Sequence, residues 1–152
     1  MLQATKVVIA GVVAGTLATA VQVLLWATTG ANALELLWRD TRLTAALVLG
    51  KSALSPDPAV DIPILRIAAV VHFSLSILFA ALLAPAAGHW RPAASLAVGV
   101  SFGVLLYVVN LHILTALFPW FVAARGGVTL AAHIVFGITA MITLRMRLPA
   151  VN

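Results

Sequence analysis

Gln22, His72, Asn110, His112 and His133 sit inside stretches that otherwise read as lipid-soluble. Imidazole coordinates zinc, copper and iron. Two histidines on different helices at one depth are also what axial ligation of a haem b in a helical bundle requires. The surrounding residue types suit such a site. Ala68, Ala69, Ala132, Gly137 and Ala140 would leave room for a flat ring, and Arg66 and Arg125 are placed to pair with propionates or other anions. His72, His133 and His112 are the candidate metal ligands, and Gln22, Asn110 and Tyr107 join the candidate cofactor set. The chain has no cysteine, which removes covalent haem attachment, disulfides and thiolate metal sites. A quinone is the other candidate ligand, with His, Tyr and Asn near one membrane face and Phe73, Phe118 and Trp120 as aromatic walls. The plain alternative is that these groups only hydrogen-bond helix to helix, at about 0.6 kcal/mol each, and fix register.

The elements that must position them are membrane helices. Of 152 residues, 63% are hydrophobic and 9% charged, against about 25% charged in a soluble domain. Such a chain cannot cover its surface with polar groups, so its partner is the lipid bilayer. Four apolar runs, at about 7–28, 64–85, 94–117 and 128–146, are each long enough to cross a hydrocarbon core of about 30 Å. Backbone groups in lipid must be satisfied within the segment, so each run is a helix. Trp26, Trp38, Trp90 and Trp120 fall at the edges, where indoles favour headgroups. Lys6 and the Ala31-Asn32-Ala33 triplet resemble a cleavable leader, but the apolar run between them is too long for a leader core. A retained first span is expected. The formal charge of +5 comes from scattered bases at membrane edges and is no nucleic-acid signature. All four acids lie between residues 35 and 61, whereas the HWRP loop and both ends are basic. That distribution predicts both termini in the cytoplasm.

The segment at about 33–50 is too polar at its start to cross. Leu34, Leu37, Trp38, Thr41 and Ala45 share one helical face and Glu35, Arg39 and Arg42 another, which predicts an amphipathic helix at the interface. A proline-rich linker, SALSPDPAVDIP, follows. The pattern G-V-x-x-G-x-L-x-x-x-V plus an amide occurs twice, as GVVAGTLATAVQ ending at Gln22 and GVSFGVLLYVVN ending at Asn110. The next apolar run then carries His72 or His133. The expectation is an all-α membrane protein of two similar helical hairpins, with Gly11/Gly15 and Gly99/Gly103 meeting at an axis between spans one and three.

At about 1.5 Å per residue, the five polar groups come out at about 8–12 Å from the outer ends of their spans, as one polar layer. On an α-helix Asn110 and His112 point about 200° apart, so His112 is expected to face a neighbouring helix or partner. His89 reads as an interfacial residue. No span contains an acid, so the usual carboxylate of a cation-coupled transporter is missing. Ser74 and Ser76 near His72 have no acid to orient a triad. The segments LWRDTRLTAALVLG, VVHFSLS and YVVN…FPWFVAARG…AAHIVFG resemble a group of small bacterial four-span membrane proteins, some labelled sodium:proline symporters. The resemblance covers most of the chain and implies a bacterial inner-membrane protein. The expected function is a non-catalytic membrane subunit or accessory protein of an electron-transfer assembly, as a homo-oligomer or in a larger membrane complex. A small transporter or channel-like oligomer and a purely structural subunit are the alternatives.

Overall fold

The computed structural model describes residues 2–54, 61–88 and 91–146. His89, Trp90, Arg147 and residues 55–60 of the proline-rich linker lie outside them. The described residues are helical, without strands, and four of the helices are long and apolar enough to cross a membrane: Gln3–Thr28, Ile62–Ala86, Pro92–Ala116 and Gly127–Arg145.

Local chemistry sets the boundaries. Helix α1 (Leu2–Thr28) stops where Thr28 and Thr29 hydroxyls bond the carbonyls of Leu25 and Trp26 and Gly30 turns at φ 76°. Asn32 caps α2 (Ala33–Leu49) by accepting from the Glu35 N–H at 3.3 Å, and Gly50 ends it at φ 67°. Asp61 caps α3 (Ile62–Leu83) through the Ile64 N–H at 3.2 Å, with Pro63 in the first turn. Pro92 opens α4 (Pro92–Val108), which continues as a π turn over Val109–Ile113 and a short 3₁₀ turn over Leu114–Ala116. A second 3₁₀ stretch, Pro119–Ala124, leads into α5 (Gly127–Arg145).

Helix α5 is central. It packs on both α4 and α1, and α1 packs on α3 as well. Accordingly 39% of the apolar window of α5 is buried, against 22–28% in the other three, which leave most of their side chains toward lipid. The α1–α5 contact runs along a stripe of small residues, Ala10, Ala14 and Ala18, buried to 0%, 0% and 8% exposure. One apolar cluster joins this stripe to Phe136, Ala140, Met141 and Leu144 of α5, Ala80 and Leu83 of α3 and Leu106 of α4. Phe79 and Phe102 fill in against it, and Phe79 meets Phe136 edge-on.

The glycine pairs do not meet each other. Gly11 and Gly15 face α3, where a Cβ on Gly11 would strike the backbone of Ile77 and one on Gly15 would strike Ser76 and His72. Gly99 and Gly103 face α5, against the backbone at Gly137–Ile138 and His133–Ile134. The expected axis between spans one and three is replaced by α1–α5 packing, because alanines at 10, 14 and 18 already give that pair a close approach. The buried side of α2 also differs from the expected face. Arg42, Leu43, Ala45 and Ala46 are buried while Leu34 is 74% exposed. Arg42 turns inward because its guanidinium lies over the Trp38 ring, 5.2 Å from the centroid.

Gly137 packs so closely on Gly99 and Gly103 that any β-carbon there meets backbone. Gly103→Ala and Gly137→Ala are therefore each expected to lower stability by about 1–3 kcal/mol. Gly127→Ala, with open space around it, is expected to leave stability unchanged. Thermal unfolding in detergent checks this, and a Gly103→Ala protein as stable as the parent contradicts the packing.

Candidate functional site

The polar residues gather at the end of the bundle where α1 stops and α5 starts. Gln22 on α1 donates from Nε2 to Asp40 Oδ2 of α2 at 3.1 Å, and the same nitrogen reaches Thr129 Oγ1 of α5 at 3.5 Å. Arg39 closes on the other side of Asp40, with Nε donating at 2.9 Å and Nη2 at 2.8 Å from Oδ1. One turn along α5, the Thr129 carbonyl meets His133 Nδ1 at 2.8 Å. The His133 ring stands edge-on to Tyr107 of α4, 5.7 Å between centroids. Tyr107 in turn lies 5.4 Å from His112, and its hydroxyl accepts the Gly126 N–H at 3.2 Å. A chain of contacts thus joins α2, α1, α5 and α4.

The π turn makes the last link. In a continuous α-helix, residues five apart point about 140° away from each other. The wider π turn at Val109–Ile113 swings His112 back over Tyr107. His112 is therefore at the site and not turned away from it, although it remains exposed. Irregular backbone at membrane depth must still satisfy its carbonyls. Arg125 Nε donates to the Leu111 carbonyl at 2.6 Å and its Nη2 to Thr115 Oγ1 at 2.9 Å, while Thr115 donates to the His112 carbonyl at 3.0 Å. Arg125 is thus committed to holding the π turn, as basic groups near a helix C-terminus often are, and is not poised for propionates.

The other expected members are placed differently. Arg66 is exposed on α3 and makes no side-chain hydrogen bond among the described residues. Asn110 is half-buried and likewise makes none. His72 lies in the α1–α3 contact, its Nε2 buried against the α1 backbone at Gly15 and its ring edge-on to Phe73 at 5.1 Å. Gln22 stands seven residues beyond Gly15 on α1, about 10 Å along the axis. The single layer therefore splits into two levels, with His72 deeper than Gln22 and Asp40.

These positions bear on the ligands. His72 Nε2 faces α1, where a Cβ built on Gly15 would stand 3.0 Å from it, whereas the His133 ring meets Tyr107 of α4. A metal held by His72, His133 and His112 is not assembled. Among the described residues, no three His, Asp or Glu side chains converge. His72 is taken up by packing against α1, whereas the other two histidines flank Tyr107. A ligand that accepts hydrogen bonds at the Tyr107–His112 edge remains compatible with the geometry.

Asp40 and Thr129 were not legible as site residues. Asp40 sits on a helix outside every apolar run, and only the tertiary fold lays it on Gln22. Trp120 packs among Leu43, Leu111 and Ala124, its buried Nε1 without a partner. Comparison with known protein families, curated proteins and solved structures finds no match. The fold and site define an all-helical protein with four helices apolar enough to cross a membrane and a polar cluster at one end.

Burial raises the pKa of Asp40 above its ordinary 3.8, opposed by the charge and hydrogen bond of Arg39 and the hydrogen bond of Gln22. The folded state then binds this proton more tightly than the unfolded state does. Its contribution is complete below pH 3.8 and is lost as pH rises through the higher folded pKa. Asp40→Asn keeps the acceptor for Gln22 and removes the ionisation. The variant is expected to gain stability relative to the parent as pH rises from about 4 toward 7. A parallel pair of stability curves over that range contradicts the assignment.

Proposed function

We propose that this chain is a non-catalytic accessory subunit of a bacterial inner-membrane electron-transfer assembly, and that the Tyr107–His112 edge binds a quinone headgroup. The two hairpins are α1 with α3 and α4 with α5. Their relationship is supported by matching contacts: Gly11 faces Ile77 as Gly99 faces Ile138, and Gly15 faces His72 and Ser76 as Gly103 faces His133 and Gly137. In this reading both termini are cytoplasmic and α2 lies along the outer interface, covering the polar end. Association with a larger complex or further copies of the chain accounts for the extensive lipid-side surface.

The observation that carries the ligand is the π turn. It sets His112 beside Tyr107 while Arg125 takes up the Leu111 carbonyl and Thr115 the His112 carbonyl. Tyr107 accepts from Gly126, so its own proton remains available for an acceptor, and a neutral imidazole supplies a second N–H donor. Quinone carbonyls are acceptors of that kind, on a flat ring that suits Trp120 and Phe121, which pack with Tyr107 against Leu43, Leu111 and Ala124.

Titration of the detergent-purified protein with a short-chain ubiquinone analogue, followed by tryptophan fluorescence, tests the reading. Saturable quenching is expected for the parent. Tyr107→Phe and His112→Ala should each weaken it about five- to tenfold, the loss of one hydrogen bond of about 1 kcal/mol or slightly more. No saturable binding, or equal binding by both variants, sinks it.

A further inference from the structure

The opposite end of the bundle carries two clefts that share Arg145 in their linings. One, of about 350 Å³, is lined by Gln3, Lys6, Ala84, Gly88 and Arg145 among others, between the start of α1 and the ends of α3 and α5. The second, of about 370 Å³, runs between α4 and α5 along Ser95, Leu96, Met141, Ile142 and Met146, with Arg145 again at its edge. Each is within the size range of small-ligand sites. Arg145 Nη1 donates to the Ala87 carbonyl at 2.8 Å, which holds the guanidinium at the edge of both clefts.

We infer that the two clefts together bind one anionic phospholipid, its phosphate between Lys6 and Arg145 and an acyl chain along Leu96, Ile142 and Met146. Charge complementarity selects the headgroup. Lys6 and Arg145 line the polar cleft and Arg91 starts α4 at the same end. The acids of the chain all fall between residues 35 and 61, and Glu35, Asp40 and Asp61 lie at the other end, around the ends of α1 and the start of α3. A phosphate here meets cations without a competing carboxylate from the described residues. The apolar cleft selects a lipid over a free anion. Leu96, Ile142 and Met146 are 45%, 48% and 57% exposed, so a chain laid along them covers apolar surface beside Arg145. Basic recesses between membrane helices commonly hold anionic lipids in this way.

Native mass spectrometry of the full chain, released from detergent with equimolar phosphatidylglycerol and phosphatidylcholine, tests the inference. One phosphatidylglycerol should be retained in at least fivefold preference to phosphatidylcholine. Lys6→Gln should remove most of that preference while leaving thermal stability without lipid unchanged. Arg145→Lys, which keeps charge but not the planar fork, should reduce it less. Glycerol phosphate alone should neither bind nor raise the unfolding temperature. Equal retention of the two lipids, an unaltered preference in Lys6→Gln, or equal stabilisation by glycerol phosphate overturns the lipid site.

Discussion

The close approach of helix backbones at glycine and alanine is what the rest of the structure depends on. In lipid the hydrophobic effect does little to hold helices together, so association relies on packing and hydrogen bonds between them. Gly11 and Gly15 let α1 lie on α3, Gly99, Gly103 and Gly137 let α4 lie on α5, and Ala10, Ala14 and Ala18 let α1 lie on α5. With those three contacts made, Gln22, Thr129, His133 and Tyr107 meet at one end. Their meeting follows from the small residues two or three turns away.

Much of this was legible in the sequence for a simple physical reason. A bilayer demands long apolar helices, so the four runs could be bounded to within a few residues, and Asn32, Gly50, Asp61 and Pro92 carry ordinary signals for starting and stopping a helix. The pairing of helices was harder. Glycine spacing announces a close contact but does not name the partner, and the alanine stripe that binds α5 looked like any apolar helix face. The π turn was invisible to a reading that assumed a uniform 100° per residue. It changes His112 from an outward residue into a neighbour of Tyr107.

Asp40 shows a second kind of limit. Its place on a mixed helix with Glu35, Arg39 and Arg42 marks it as a solvated charge. Burial of Arg42 beneath Trp38 and the capping of α2 by Asn32 fix the helix so that Asp40 lies on Gln22 instead. A carboxylate supplied from outside the spans thus joins a polar cluster that no span could have provided. Arg39 compensates it at the outer side, which is why the charge can be held at partial burial. The two ends of the molecule are consequently unlike: one mixes acids with bases and is internally bonded and aromatic, the other is basic and cleft.

The account rests most directly on the π turn, because that turn alone brings His112 and Tyr107 together. A ring-to-ring distance between labelled His112 and Tyr107, measured by solid-state NMR in lipid bilayers, tests it without any ligand. The expected value matches the 5.4 Å centroid separation described above. Rings held well beyond about 8 Å, as on opposite faces of a continuous α-helix, would contradict it.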